Sequence, residues 1–324
     1  MKQIIIFSEE RDHVTSEVIK WINYFNYNSL RINIDDALFK TVTLSPKSVS
    51  LKTSFKIITI NPGDIVWFRR ISIINTFFFK KKENDRESAI RKFYVNERVS
   101  TFNSLIHWIT INCNIIGNPF DSKPNKVQLL LNAKKVGLES PDWIVTGKKN
   151  ELSNFINKHR MVAHKNFNHL AYIHNNKSFK NLTSLITKNS LKKFEDNFEP
   201  ALFQKYIEKK YELRIFQWQK SFYSMAIFSQ NDSKTKIDFR NYNKDFPNRN
   251  IPVNVPQSYL NLLLSYSNEI GLDHGSYDIL VTKTGEFYFL EVNPIGQFEM
   301  VSGPCNYYIE KDIAFQLIKL KRLK

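Results

Sequence analysis

Only two cysteines occur in the 324 residues, Cys113 and Cys305. Neither sits in a paired or metal-ligand spacing, so a disulfide framework and a thiolate metal site are both excluded. The two fit free thiols in a reducing cytoplasm. Glycine and proline are also scarce, 9 and 11 residues. No apolar run approaches the roughly 20 residues of a membrane-spanning helix. The opening MKQIIIFSEERD carries too short an apolar run for a signal peptide and turns acidic at once. A cytoplasmic location without a membrane partner is therefore expected. Internal repeats and low-complexity tracts are absent, and no serine or cysteine falls in a recognisable triad. Acidic residues are outnumbered, 31 against 47 basic ones, for a formal net charge of +16.

What is abundant is apolar and aromatic. Hydrophobic residues make 42% of the chain and aromatics 14%, which marks a globular protein with a sizeable core in two or three domains. The positive balance favours an anionic partner: nucleic acid, nucleotide phosphates or an acidic peptide. The lysines are spread along the chain. The one dense run, Lys80-Lys81-Lys82, is followed at once by Glu83. No nucleic-acid-binding motif accompanies the charge, so nucleic acid is not the expected partner.

The hydrophobic pattern divides the chain. Residues 3–7 read as a buried strand, and 12–27 as a helix with Val14, Val18, Ile22 and Phe25 on one face. Strand-like runs follow at 29–34, 49–55, 56–60 and 65–68, and a helix at 84–112. This first part, 1–118, reads as an N-terminal α/β domain. Asn118-Pro119 breaks the chain. Lys123-Pro124 then opens a helix over 125–136, ended by Gly137. Strands at 142–146 and 160–165 flank a helix near 150–158, and 166–200 read as a small mobile subdomain. Residues 119–202 thus form a central lobe. Beyond it, 203–324 make a C-terminal lobe with strands from 213 to 239, helices at 257–270 and 310–322, and a hairpin between them.

That hairpin, within GLDHGSYDILVTKTGEFYFLEVNPIGQ (271–297), carries the chemistry. A turn centred on Thr284-Gly285 puts Asp278 directly opposite Glu291. Directly opposed Cβ atoms lie about 4.5–5.5 Å apart, and like charges there repel. A cation between them would resolve the repulsion. Asn293, two residues beyond Glu291, falls on the same strand face. Asp, Glu and an amide oxygen make a hard, oxygen-only set suited to Mg²⁺. A three-residue loop would shift the register and spoil the pairing. Phe287 and Phe289 are expected on the acid-bearing face, making the strand apolar on both sides. The competing reading places both acids on the solvent face of an amphipathic hairpin.

LFQKYIEKKYELRIF (202–216) followed by this hairpin resembles the C-terminal half of an ATP-grasp ligase. VWFRR (66–70), Glu97, Asn118-Pro119, residues 125–146, MVAHK (161–165), DFR (238–240) and LEVNPIGQF (290–298) occur in the expected order along nearly the whole chain. Together they resemble the peptide-modifying branch, the graspetide (microviridin-type) synthetases and the grasp-with-spasm maturases. The resemblance implies a three-part α/β (α+β) fold: the N-terminal domain and two ATP-grasp lobes enclosing ATP. It implies Asp278, Glu291 and Asn293 as Mg²⁺ ligands, and Lys126 and Lys165 as the lysines that reach ATP phosphates. Gln204, Tyr206 and Ile207 match the adenine hinge. Glu212 and Arg214 match the ELR element, and Arg240 a further active-site arginine. Surface lysines, and a structural Glu212–Arg214 ion pair, remain the plain alternatives. Arg69 and Arg70 are read as facing substrate. The sequence departs from the pattern at Asn166, where proline is common, at Lys205, where an acid is common, and at His274, where phenylalanine is usual. His274 reads as a packing substitute.

The activity so implied is ADP-forming. An Asp or Glu side chain of a ribosomal precursor peptide, leader plus core, becomes an acyl phosphate. Ser/Thr hydroxyls or a Lys amine then give ester or amide crosslinks. The alternatives are an ATP-grasp ligase that adds amino acids to a peptide or protein, or a non-catalytic nucleotide- or nucleic-acid-binding protein. Monomer and homodimer both stay open.

Overall fold

The computed structural model describes residues 2–34, 42–53, 56–71, 85–120, 125–167, 172–174, 177–179 and 182–322, with backbone alone for 85–88, 172–174 and 177–179. The run Lys80–Lys82, the pair Lys123-Pro124 and parts of the 166–200 segment lie outside the described residues. The chain forms two compact units. One comprises 1–123, 272–274 and 308–324; the other comprises 124–271 and 275–307.

The first unit is built on a parallel sheet. Its strands are β1 (Ile4–Ser8), β2 (Ser29–Asn33), β6 (Ile65–Phe68) and β7 (Asn114–Ile116), in the order β2-β1-β6-β7. β1 and β6 are continuous apolar runs, Ile-Ile-Ile-Phe and Ile-Val-Trp-Phe, and every residue in both is buried. Strands covered on both faces read this way. Helix α1 (His13–Tyr24) buries Val14, Val18 and Ile22 along one stripe. β3 (Val42–Leu44), β4 (Val49–Lys52) and β5 (Ile57–Ile60) form a small antiparallel sheet. Helix α2 (Asp85–Asn112) supplies Val95, Phe102, Leu105, Ile106 and Ile109 to a core shared with β1, β4, β5 and β6. The three-residue strands β3 and β7 were not expected from the sequence. Runs that short carry no readable period.

The second unit holds two larger sheets. Helix α3 (Lys126–Lys135) is capped by Asn125, whose side chain accepts the Val127 and Gln128 N–H groups. Gly137, at φ +85°, follows its end as expected. β8 (Trp143–Lys148), α4 (Lys149–His159) and β9 (Met161–Lys165) come next. The hairpin β10 (Tyr172–His174) and β11 (Lys177–Phe179) precedes β12 (Ser184–Thr187), a short 3₁₀ turn (Lys188–Lys193) and β13 (Asn197–Lys205). The sheet order is β12-β9-β13-β8, all antiparallel. Leu152 and Ile156 of α4 pack on Val162, Leu191 and Phe203 beneath it.

The other sheet has the order β16-β15-β14-β17-β18. Its strands are β14 (Lys209–Trp218), β15 (Ser221–Phe228), β16 (Arg249–Pro252), β17 (His274–Thr282) and β18 (Phe287–Asn293). Helix α5 (Gln257–Glu269) covers one face: Tyr259 stacks on Phe287 at 4.6 Å, and Tyr266 meets Phe289 at 5.0 Å. Helix α6 (Glu299–Cys305) follows β18. The last helix, α7 (Ile309–Arg322), returns to the first unit and packs on α1, where Phe315 meets Phe25 at 6.3 Å.

Candidate active-site cleft

The hairpin of β17 and β18 is paired by two compensating irregularities. Its loop is Lys283-Thr284-Gly285, three residues long, with Gly285 at φ +88°; the Thr282 N–H donates to the Glu286 carbonyl across it, and the Glu286 N–H to Thr282 Oγ1. That loop sets Val281 opposite Phe287 and Ile279 opposite Phe289, one residue away from the register a two-residue turn would give. The register then shifts back at Leu290, so Asp278 faces Glu291 and Ser276 faces Asn293. The expected acid pair is therefore present, although the turn differs from the expected one. The shift corrects another expectation. Leu290 and Glu291 both line the cleft, as Asp278 and Leu280 do, whereas Phe287 and Phe289 point at the rings of α5. The acid-bearing face is open to the cleft and the aromatic face is buried.

Each carboxylate is held by a cation. Arg214 Nη1 donates to Asp278 Oδ1 at 2.5 Å, and Lys126 Nζ lies 3.1 Å from Glu291 Oε2. Burial pushes the Asp278 carboxyl above its usual range; Arg214 opposes that and Glu291 adds to it. Asn293 lies outside the lining of the cleft, its side-chain oxygen accepting the Ile295 N–H at 3.1 Å. Glu212 is buried and takes Lys209 Nζ at 2.6 Å and Ser229 Oγ at 3.1 Å. The Glu212–Arg214 ion pair of the plain alternative is not formed: Glu212 pairs with Lys209 and Arg214 with Asp278.

A cleft of about 630 Å³ opens between the two sheets of this unit. Lys165, Gln204, Tyr206, Ile207, Glu212, Arg240, Asp278 and Glu291 line it together, beside apolar Pro141, Ala163, Leu280 and Leu290. Lys126, Lys165, Thr183, Arg240 and Glu291 converge on a smaller recess beside it. Burial lowers the Lys165 ammonium, Glu291 and Asp238 oppose this, and Arg240 and Lys126 add to it. Three cations in one recess are poised for an anion. The cleft thus combines apolar walls with cations gathered near two carboxylates.

Sequence reading missed Lys209, Ser229, Thr183 and Asp238. Asp238 carried a signal in the Asp-Phe-Arg spacing, since residues two apart in a turn can close a carboxylate–guanidinium ring. In the first unit, Arg69 is buried beside Asp12, its Nε 3.7 Å from Oδ2, and burial brings it down to about 10. An arginine with no exposed surface cannot face a substrate, which corrects that expectation for Arg69. Arg70 is partly exposed and paired to Asp12 at 3.2 Å and Glu9 at 3.6 Å. His274 packs edge-on against Trp67 at 6.3 Å, in keeping with a packing role.

No known family profile matches the chain, and no curated protein matches it by sequence. Solved structures do. A Chryseobacterium gregarium RiPP-associated ATP-grasp ligase, in complex with ADP and a leader and core peptide, superposes with a TM-score of 0.83 at 26% identity, over 98% of this chain and 97% of that one. The chain has an ATP-grasp ligase fold. The macrocyclase MdnC from Microcystis aeruginosa MRC, bound with precursor peptide MdnA, is similar at a TM-score of 0.78 and 21% identity, covering 98% and 99%. The ATP-grasp ligase PsnB, complexed with a minimal precursor, Mg and ADP, gives 0.74 at 14%, covering 98% of each. The likeness of this ATP-grasp chain to peptide-modifying ligases runs over nearly the whole of each chain.

Proposed function

We propose that this ATP-grasp chain is an ADP-forming peptide macrocyclase that activates Asp or Glu side chains of a ribosomal precursor as acyl phosphates. Esters to Ser/Thr or amides to Lys then follow. The observation that carries the reading is the cleft itself: apolar walls beside the hinge residues, with Lys165, Arg240 and the opposed Asp278 and Glu291 in the same lining and Lys126 in the recess beside it. ATP-grasp peptide ligases of similar length supply the precedent. Residues 1–118, 119–202 and 203–324 are assigned as the N-terminal domain and the two lobes.

The donor set fits Mg²⁺. Two opposed carboxylates, each with a cationic side chain beside it, and an amide oxygen with a second lone pair make an oxygen-only set. Among the described residues no group of three or more His, Cys, Asp and Glu could hold a metal. Asp278, Glu291 and Asn293 are the residues assigned to it, and the bound ion would neutralise phosphate charge.

The remaining work falls to side chains of this chain. Gln204, Tyr206 and Ile207 seat adenine against Ala163, Leu280 and Leu290. Lys126 and Lys165 hold the phosphates. Arg214 and Arg240 stabilise the charge that develops as the γ-phosphoryl group moves to the peptide carboxylate. Glu212, locked by Lys209, positions the floor of the cleft. The carboxylate oxygen forms the new P–O bond and ADP leaves. A hydroxyl or amine of the peptide then attacks the acyl carbon, loses its proton to solvent and expels phosphate. No enzyme nucleophile is needed.

An acyl phosphate can be intercepted. Incubation with Mg·ATP, an acidic precursor peptide and hydroxylamine is expected to give peptide hydroxamate and stoichiometric ADP. ADP without hydroxamate, or neither, would contradict the activation step.

A further inference from the structure

Arg240 and β12 belong to different parts of the second unit. Arg240 sits in the long connection between β15 and β16, and β12 is an edge strand of the other sheet. One carboxylate holds both. Asp238 Oδ1 accepts the Arg240 Nε–H at 2.9 Å and the Arg240 backbone N–H at 3.1 Å. Its Oδ2 accepts Arg240 Nη2–H at 2.6 Å and the Thr183 backbone N–H at 3.0 Å.

We infer that Asp238 is a positioning residue that aims the Arg240 guanidinium into the cleft and latches the leading end of β12 across it. The inference deepens the proposed function and rests on the reading that the recess receives phosphate or carboxylate. Four charge-assisted bonds occupy both oxygens of a residue that is 6% exposed, so Asp238 is neither a proton carrier nor a metal ligand. Burial alone would raise it; the guanidinium bonded to it and the two N–H groups hold it well below the usual carboxylate range.

The need for such a residue is electrostatic. Lys126, Lys165 and Arg240 share one recess with Glu291, where three cations outnumber the one carboxylate. Asp238 opposes the repulsion on Lys165 and binds Arg240 directly. It also fixes geometry. Thr183 lies beside Ser184, which pairs with His164, and His164 precedes Lys165. A tie at Thr183 therefore holds the end of β9 that presents Lys165. Arg240 comes from the β15–β16 connection and Lys165 from β9, and Asp238 sets their spacing.

Four variants test this: Asp238→Asn, Arg240→Ala, their combination, and Thr183→Pro, which deletes the N–H donor. AMPPNP with Mg²⁺ is the probe, read by calorimetry, alongside amide hydrogen exchange of the stretch 182–187. Asp238→Asn should speed exchange there and weaken AMPPNP on the order of tenfold, the scale of a lost hydrogen bond to a charged group. Arg240→Ala should weaken AMPPNP while exchange stays slow. The double variant should lose less than the product of the two single losses, because one acts through the other. Thr183→Pro should speed exchange with Asp238 and Arg240 intact, which keeps the test alive if Asp238→Asn does not fold. Unchanged exchange in both Asp238→Asn and Thr183→Pro, or fully multiplicative losses, would overturn the inference. A wild-type chain that does not bind AMPPNP would remove the phosphate reading instead, and the exchange measurement would still decide the latch.

Discussion

His274 shows how one residue can be placed by packing and still have a measurable signature. It is 3% exposed, against Trp67. Burial, with Arg69 nearby, pushes its imidazole down to about 3 from an ordinary 6.5. The unfolded chain therefore binds a proton that the folded chain refuses between those two values. Stability is full above about 6.5 and falls as pH drops through the window. Each tenfold difference in proton affinity between the two states is worth about 1.4 kcal/mol, so the loss can reach a few kcal/mol. His274→Phe should remove this acid sensitivity. Urea unfolding at pH 7 and pH 4 checks it: the wild-type midpoint should fall more than that of the variant, and equal falls would contradict the assignment. The sequence showed His274 as a phenylalanine substitute, because its LDHG surroundings were recognisable. It could not show that Arg214 pairs with Asp278, since residues 64 apart meet only through the neighbouring of β14 and β17.

At the scale of elements, the hairpin is the most instructive. Alternation and the Thr-Gly turn made the strands legible, and the opposed acids followed from them. The actual loop is three residues long, and a second irregularity at Leu290 restores the pairing next to the site. No sequence signal marks that irregularity, because Leu290 is an ordinary strand residue. Bulges placed beside functional sites re-aim side chains. Glu291→Gln should keep the turn and the bulge, remove one of the two opposed charges, and abolish the Mg²⁺ dependence of nucleotide binding. Circular dichroism would show the fold retained, and calorimetry with and without Mg²⁺ would read the loss. Unaltered Mg²⁺ dependence would contradict the role given to the opposed pair. Gly296 makes the neighbouring bend: at φ +60°, an added Cβ would lie 2.9 Å from the Phe216 ring. Helices α1 and α2 were legible from period alone, whereas β3 and β7 are too short to carry one.

Over the whole molecule, a net charge of +16 is the property that composition alone established. An acidic peptide substrate would be drawn in by that field, and salt shortens its reach from about 10 Å at 0.1 M to about 3 Å at 1 M. The KM for an acidic precursor should therefore rise with NaCl while kcat changes little. A KM indifferent to salt would place peptide recognition in apolar contacts instead. The fold was legible at this scale because ordered motifs span nearly the whole chain. The division into two compact units was not, since 272–274 and 308–324 join the first unit from far along the sequence.

The central claim is that the acid pair of the hairpin drives condensation within a peptide. Intact-mass spectrometry of an acidic precursor, co-expressed with the wild-type chain or with Asp278→Ala/Glu291→Ala, measures it most directly. The account predicts the loss of one water for each bond formed with the wild type and none with the double variant. A gain in mass would instead mean ligation of a free amino acid. Water loss that persists in the double variant would contradict the role of Asp278 and Glu291.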